Sequence, residues 1–263
     1  MDGGFVQRRA DTVDGMPMNA LDVRSSIGET WRRVRSVRLV GLARVLLVID
    51  LAFIIVEVTI EVAQEYWFAG AYRFSLNTDG GIPEIYGYAK VQLLIVVLFI
   101  AWRETRDSAL FAWICIFLFV QAEDAGQLHE TIGVRLDDAL GLPAVAGLDG
   151  HDLGELLWFA LVGSVLLTVL VRGERRNGPG VSDLSFVLFV CAALLASFAV
   201  VLDPVALVVE AQLGLRGLGV VEDGGELVAQ SMALLAGLAW IRLPARWEHR
   251  MARVPSGDRG EQG

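Results

Sequence analysis

The sequence is poor in lysine and cysteine, and both shortages exclude classes of function. Lys90 is the only lysine among 22 basic residues, the others being arginines, and the formal net charge of -9 argues against a nucleic-acid surface. Cys115 and Cys191 are the only cysteines and lie inside apolar runs, which excludes a disulfide framework and a paired-cysteine metal site. The sequence also has no HExxH run, phosphate-binding glycine loop or nucleophile elbow.

Long apolar runs dominate what remains. The chain has 263 residues, of which 54% are hydrophobic, and its mean hydropathy is +0.53. Crossing the hydrocarbon core of a bilayer takes about 18 to 20 apolar residues, and six segments reach or approach this length. They cover residues 39–61, 86–102, 108–130, 153–171, 184–210 and 222–241. The sequence therefore predicts an all-α, polytopic membrane helix bundle of six transmembrane helices, with the lipid bilayer as its partner.

The second and fifth segments depart from the usual length. Because the second is short, we expect its helix to continue into the flanking residues, with Lys90 at its outer end. No lysine is then predicted in the middle of the membrane, which disfavours a retinal Schiff base. The fifth segment is long and contains Pro204, so we expect it to kink there.

Charge asymmetry predicts how the bundle is oriented. Seventeen of the 22 basic residues lie before the first segment, in the turns after the second and fourth segments, and after the sixth, whereas 18 of the 31 acidic residues lie on the opposite side. By the positive-inside rule the basic side is cytoplasmic. The sequence thus predicts a polar cytoplasmic leader at 1–37, a transmembrane domain at 38–242 and a cytoplasmic tail at 243–263. The membrane is predicted to be a bacterial inner membrane.

The first segment carries an acidic stripe. Asp50, Glu57, Glu61 and Glu65 follow one another at offsets of 7, 4 and 4, which places them on one helical face at ~100° per residue. A carboxylate facing lipid at this depth costs several kcal/mol, so we expect the stripe to face the bundle interior. Asp50, near the membrane centre, is either a relay beneath an ion site or a single neutral acid that is hydrogen-bonded to a neighbouring helix.

Further acidic residues cluster at the outer ends of the other segments. They predict a site for a divalent cation or for protons, because carboxylates with one or two imidazoles suit hard or borderline cations. The predicted ligands are Glu57, Glu61, Glu123, Asp124, His129, Glu130, Glu210, Glu222 and Glu226. We expect Glu123 and Glu226 to share one ion or proton. Asp149, His151, Asp152 and Glu155 open the fourth segment, where helix capping competes with metal binding as an explanation.

This acidic pattern resembles that of an uncharacterised family of six-helix prokaryotic integral membrane proteins. The family has an acidic pair, an alanine and a His-Glu pair closing the third helix, a glutamate late in the fifth, and an acidic cluster opening the sixth. The matching residues are Glu123, Asp124, Ala125, His129 and Glu130, then Glu210, then Glu222, Asp223 and Glu226. The order of the first acidic pair is reversed here, and Asp223 replaces a glutamate. The resemblance covers the six-helix body and implies a shared site.

Three functions fit these observations. The first is transport or sensing of a divalent cation or protons by an outward-facing cluster of carboxylates and histidine. The second is a metal-dependent membrane enzyme that acts on a lipid or isoprenoid at the outer leaflet, with Glu123 as a base. The third is a structural protein whose acidic rim recruits a partner. Because the cytoplasmic halves of the segments contain almost no ionisable group besides Arg44, the sequence shows no inward half of an ion path.

Overall fold

The computed structural model describes residues 39–63, 71–76, 78–145, 147–175, 179–202, 204–206, 208–209 and 217–241. Within these ranges the regular elements are helices, joined by turns, apart from one isolated β-bridge between Val145 and Leu148. The helices are α1 (Val40–Ala63), α2 (Ile82–Thr105), α3 (Ser108–Ala125), α4 (Leu128–Leu140), α5 (Gly150–Glu174), α6 (Pro179–Ala196) and α7 (Leu218–Ile241), with a 3-10 helix at Ala71–Phe74. The predicted leader 1–37 and tail 243–263 lie outside the described residues, as do Glu65 and Glu210.

Five helical segments are long and apolar enough to cross a membrane. They are Ile82–Thr105, Ser108–Ala125, Gly150–Glu174, Val181–Ala206 and Leu218–Ile241. The α1 helix is not one of them, because every stretch of 18 residues in it holds at least three ionisable side chains. The chain is therefore an all-helical protein with five candidate spans, and a sixth span through α1 stays a prediction.

The third predicted helix is interrupted. The expectation of one continuous helix over 108–130, followed by a loop, is wrong: α3 ends at Ala125, and α4 occupies the region predicted as loop. Gln127 sits between the two helices at φ +46°, a left-handed conformation that ends one helix and redirects the chain. The α4 helix is short and carries four charged residues. It is therefore too polar to continue the candidate span that α3 forms.

The helices formed by the second and fifth predicted segments agree better with the prediction than the third does. The α2 helix begins at Ile82, four residues before the apolar run, with Pro83 in its first turn. After α6 the helix continues as a π-helical turn over Ser197–Leu202, directly before Pro204. Proline offers no backbone N–H to the preceding turn, which accounts for an irregular hydrogen-bond pattern at this place.

The core of the bundle is formed by α2, α3, α6 and α7. Trp113, Leu94, Leu98 and Leu188 are almost fully buried there, and the Trp113 indole N–H donates to the Ser185 hydroxyl at 2.5 Å. Alanine and glycine on α7 allow close packing against α2. Two ends of the bundle follow: the acidic end, where α2, α5 and α7 begin and α3 ends, and the basic end, where α3 begins and α2 and α5 end.

Candidate functional site

A cavity of about 140 Å³ opens at the acidic end between the first turns of α2, the end of α3 and the beginning of α7. Five carboxylates from four parts of the chain line it, together with Thr78, Tyr88 and Gln230. These carboxylates belong to Asp79, Glu84, Asp124, Asp223 and Glu226. No residue of the lining is basic. Carboxylates that gather in one recess without a lining cation repel one another, so the recess favours a bound cation or proton.

The carboxylates become less exposed from the mouth to the floor of the cavity. Asp79 and Asp124 are exposed, whereas Glu84, Asp223 and Glu226 are half-buried. Asp79 accepts a hydrogen bond from the Gln127 side-chain amide at 3.1 Å, which links the loop before α2 to the break between α3 and α4. This gradient gives a charged ligand a water-accessible entrance and progressively fewer water contacts further in.

Glu84 is held by two donors. The backbone N–H of Gly80 donates to one oxygen of its carboxylate and the Tyr88 hydroxyl donates to the other. Each donor contacts a different oxygen, so the carboxylate cannot rotate freely. Glu84 is thus fixed in one orientation at the side of the cavity.

The floor of the cavity contains an amide oxygen without a hydrogen bond. Oε1 of Gln230 is fully shielded from solvent and has no hydrogen-bond partner in the described part of the chain. It lies against Gly87, where an added Cβ would come within 2.8 Å of it. A glycine at this position of α2 therefore makes room for the amide at the bottom of the recess. An unsatisfied buried oxygen is costly, and a bound cation would satisfy it.

A buried ion pair lies directly beneath the floor. Nζ of Lys90 is 3.0 Å from Oδ1 of Asp50, and it donates to the carbonyl of Leu227 at 2.6 Å and to the Ser231 hydroxyl at 3.2 Å. The Ser231 hydroxyl in turn donates to Oδ2 of Asp50 at 2.6 Å. Both charged side chains are at most 3% exposed. Because Leu227 also lines the cavity, the ammonium group adjoins the cavity floor.

The position of Lys90 corrects the sequence prediction. Lys90 lies eight residues inside α2, or about 12 Å from its first residue, and not at the outer end of the helix. A lysine is therefore present inside a candidate membrane span, where it pairs with Asp50. The expectation that Asp50 faces the bundle interior holds, since this side chain is fully buried. Sequence reasoning missed this partner because it placed Lys90 at the outer end of the helix, although it expected the helix to extend beyond its apolar run.

Glu123 and His129 form a second pair across the break between α3 and α4. Oε1 of Glu123 accepts from the backbone N–H of His129 at 2.9 Å and lies 2.8 Å from its Nδ1. The side-chain hydrogen bond to Glu123 raises the pKa of His129, and burial opposes this only in part. The imidazole also packs against Phe159 of α5, with ring centroids 5.4 Å apart. Glu123 therefore caps α4 and fixes His129.

A third cluster opens α5. Asp149, His151 and Asp152 each place one ligand atom within 4.8 Å of the others, so this group could hold a metal ion. The two aspartates form a capping box, in which each carboxylate accepts from the backbone N–H of the other residue. Nε2 of His151 is 3.0 Å from Glu155, one turn further along. Capping thus accounts for the two aspartates without a metal.

The structure distributes the predicted ligands over several places. Asp124 and Glu226 line the cavity, whereas the neighbouring Glu123 is occupied by His129. The buried carboxylate of Glu57 accepts from the backbone N–H of Leu76 at 2.7 Å. Among the others, Glu61 lines an apolar groove of about 710 Å³ between α1, α6 and α7, Glu130 is exposed on α4, and Glu222 is half-buried on α7.

Three cavity residues were not anticipated. Asp79, Glu84 and Tyr88 lie before or at the start of the second apolar run, outside the set of predicted ligands. A signal for them exists in the sequence: Gly80 and Gly81 are followed by a proline and a glutamate, the usual order at a helix N-terminus. Starting the helix there would have placed Glu84 and Tyr88 one turn apart on one face.

Comparisons with protein-family models, curated proteins and solved structures found no match for the chain. The fold and the cavity accordingly define its class: an all-helical chain with five helices long and apolar enough to span a membrane, and with carboxylates gathered at one end. The resemblance to the six-helix prokaryotic family stays a prediction.

Proposed function

We propose that this protein is a membrane-embedded sensor that binds one divalent cation at its acidic end. The observation that carries the proposal is the cavity lined by five carboxylates with no basic residue in its lining. Two further features support it. The Gln230 oxygen on the floor lacks a hydrogen bond, and the mouth is formed by exposed Asp79 and Asp124. A cation would neutralise the repulsion among the carboxylates and supply the missing contact to the amide oxygen.

The chemistry of the lining selects the class of cation. The polar side chains of the cavity present carboxylate, hydroxyl and amide oxygens, with no imidazole and no thiolate. Hard cations such as Ca²⁺ and Mn²⁺ prefer about six to eight or about six oxygen ligands respectively, whereas Zn²⁺ prefers sites with nitrogen or sulfur. The lining therefore favours Ca²⁺ or Mn²⁺ over Zn²⁺.

The ion pair beneath the floor favours sensing over transport. A cation that left the cavity towards the membrane centre would approach the Lys90 ammonium group, which donates to the carbonyl of the cavity residue Leu227. Two positive charges that approach each other in a poorly hydrated region repel strongly. The cation is thus expected to bind and leave through the same mouth, while its charge acts on Lys90 and on the α1 residue Asp50.

The enzyme alternative would need a lipid chain beside the carboxylates. The apolar groove between α1, α6 and α7 is lined by Gly224, Gly225 and Val228 of α7, whereas the cavity is lined by Glu226 and Leu227 among others, and the two share no residue. A chain seated in that groove lies on the other side of α7. The geometry therefore gives the enzyme alternative no specific support.

Titration with Mn²⁺ tests the proposal. The full chain in detergent is titrated with Mn²⁺ alone, and the free ion is measured by electron paramagnetic resonance, because the sharp signal of aqueous Mn²⁺ broadens when the ion binds. We expect one ion per chain, displaced by Ca²⁺. Asp124→Asn and Glu226→Gln should each weaken binding roughly tenfold, as expected when one of several carboxylate ligands is lost.

Two controls decide where the ion binds. Asp138 is an exposed carboxylate on α4 that does not line the cavity, so Asp138→Asn should leave Mn²⁺ binding unchanged. Weakening by Asp149→Asn and His151→Ala, with no effect of the cavity variants, would place the metal at the start of α5 and overturn the proposal. Absence of saturable Mn²⁺ and Ca²⁺ binding would overturn it as well. Uptake of radiolabelled Ca²⁺ into proteoliposomes would refute the sensing role.

A further inference from the structure

The basic end of the bundle contains a groove that the cation site does not use. It lies between the first two turns of α3 and the end of α5, with a volume of about 480 Å³. Its sides are apolar, and two arginines stand at its open end. The lining residues are Ser108, Phe111, Ala112, Cys115, Val169, Arg172, Gly173 and Arg175. It therefore combines a charged entrance with an apolar interior.

Close contact of the two helices forms the closed side of the groove. An added Cβ at Gly173 would lie 3.1 Å from Cα of Ala109, so the backbones almost touch here. The Ser108 hydroxyl donates to the carbonyl of Gly173 at 3.0 Å and ties the two helix ends together. Both helices are candidate membrane spans that terminate at this point, which places the groove where headgroups meet hydrocarbon.

Two arginines line the groove at the end of α5. Arg172 and Arg175 are three positions apart at the C-terminal end of α5, and both are exposed. In the described ranges neither of them forms an ion pair with a carboxylate. The nearby Asp107 carboxylate is engaged in capping α3, where it accepts from the backbone N–H of Ala109 at 2.9 Å. The groove is thus lined by two exposed guanidinium groups that form no ion pair among the described residues, while Glu174, between them in the sequence, is half-buried.

The interior of the groove is open towards the lipid side. Phe111 is 50% exposed and Val169 is 40% exposed on the surface of two candidate membrane-spanning helices. Both side chains are therefore available for contact with lipid. A soluble phosphate would gain nothing from this apolar surface, whereas an acyl chain would cover it.

We propose that this groove binds one anionic phospholipid, with its phosphate between Arg172 and Arg175 and one acyl chain along Phe111, Cys115 and Val169. Basic pockets between transmembrane helices at the headgroup level are suited to such lipids, because each arginine attracts the phosphate and the apolar walls exclude water. The site is at the opposite end from the cation cavity, so it stands whether or not a cation binds there.

Lipid retention and crosslinking test this site. The full chain is reconstituted in vesicles of phosphatidylcholine mixed with an equal part of phosphatidylglycerol, extracted, and analysed by native mass spectrometry for retained lipid. We expect one phosphatidylglycerol per chain. Arg172→Gln combined with Arg175→Gln should weaken retention roughly twenty-five-fold, as two headgroup-level arginines contribute about fivefold each. Arg103→Gln is the matched control, because Arg103 is exposed at the same end but does not line the groove.

A photoactivatable phosphatidylglycerol with a diazirine in one acyl chain gives a second readout that needs no variant. It should label the α3 peptide containing Phe111 and Cys115 and the α5 peptide containing Val169. Val169→Trp, which fills the groove without changing its charge, should suppress this labelling. Inorganic phosphate in excess should not compete. Equal retention of phosphatidylcholine, equal loss in Arg103→Gln, competition by phosphate, or labelling spread over all helices would each overturn the proposal.

Discussion

The Lys90–Asp50 pair, which joins α2 to α1, lies next to the carboxylate cavity, which is lined by parts of α2, α3 and α7, yet the acidic residues of the two places have opposite surroundings. Asp50 is fully buried and has an ammonium group at 3.0 Å and a hydroxyl at 2.6 Å. The cavity gathers five carboxylates, and its lining contains no basic residue. The comparison shows two arrangements of acidic residues in this protein: one carboxylate that is paired with an ammonium group, and several carboxylates that are gathered in a recess whose lining residues include no basic one.

Removing Lys90 should have the largest effect, because it leaves a buried charge without its partner. We expect Lys90→Met to lower the free energy of unfolding by about 3–5 kcal/mol. The double variant Lys90→Met, Asp50→Leu should recover much of this loss, since both charges are then absent. Unfolding in detergent, followed by circular dichroism, measures both. If Lys90→Met unfolded like the parent, the pair would be partly hydrated and would not act as a barrier beneath the cavity.

The capping box at the start of α5 is a carboxylate group that the backbone balances. Asp149→Ala should lower the free energy of unfolding by about 1 kcal/mol, the usual cost of losing an N-cap side chain. Because the cause is a lost hydrogen bond to the N–H of Asp152, Mn²⁺ should not change the size of the effect. A loss of stability that appears only with Mn²⁺ present would instead identify a metal site there, with thermal unfolding as the measurement.

Glu123 is an intermediate case, balanced by His129 only while the imidazole is protonated. The pKa of His129 is raised in the folded protein, so the pair stabilises the fold fully below the ordinary imidazole pKa of about 6.5 and loses this contribution as pH rises through the folded-state value. Relative to His129→Gln, the parent should be more stable at acidic pH by less than ~1 kcal/mol, and the difference should shrink at alkaline pH. A difference independent of pH would show that only the packing against Phe159 matters.

The smallest effect is expected at the mouth of the cavity. Asp124→Asn should raise the stability of the cation-free protein by a few tenths of a kcal/mol, because it removes one of several like charges in a solvent-accessible place. Asp138→Asn, outside the cavity, should not do so. Destabilisation by Asp124→Asn without a cation would mean that the described carboxylates are balanced in some other way, and the contrast with Asp50 would fail. Differential scanning fluorimetry resolves shifts of this size when several replicates are compared.

The sequence alone predicted much of the fold. Apolar runs fix which stretches form long helices, since length and hydropathy are local properties. Each of the six predicted runs overlaps one long described helix, namely α1, α2, α3, α5, α6 or α7. The break after Ala125 was not predicted, because Gln127 is an ordinary residue whose left-handed conformation depends on the capping contacts around it. The extension of α2 beyond its apolar run was expected, but the place of Lys90 within the helix was not, because the first turn of α2 is polar and carries no hydropathy signal that fixes where the helix begins.

What the sequence determined by itself is that this chain is helical, apolar and acidic at one end, and that Asp50 must be buried, because a charge on an apolar helix has no other tolerable place. Only the tertiary structure decided which acidic residues meet. Asp124 enters the cavity while its neighbour Glu123 turns to His129, and Lys90 reaches Asp50 from a different helix. Adjacent residues on a helix point ~100° apart, and contacts between helices depend on packing that no local pattern specifies.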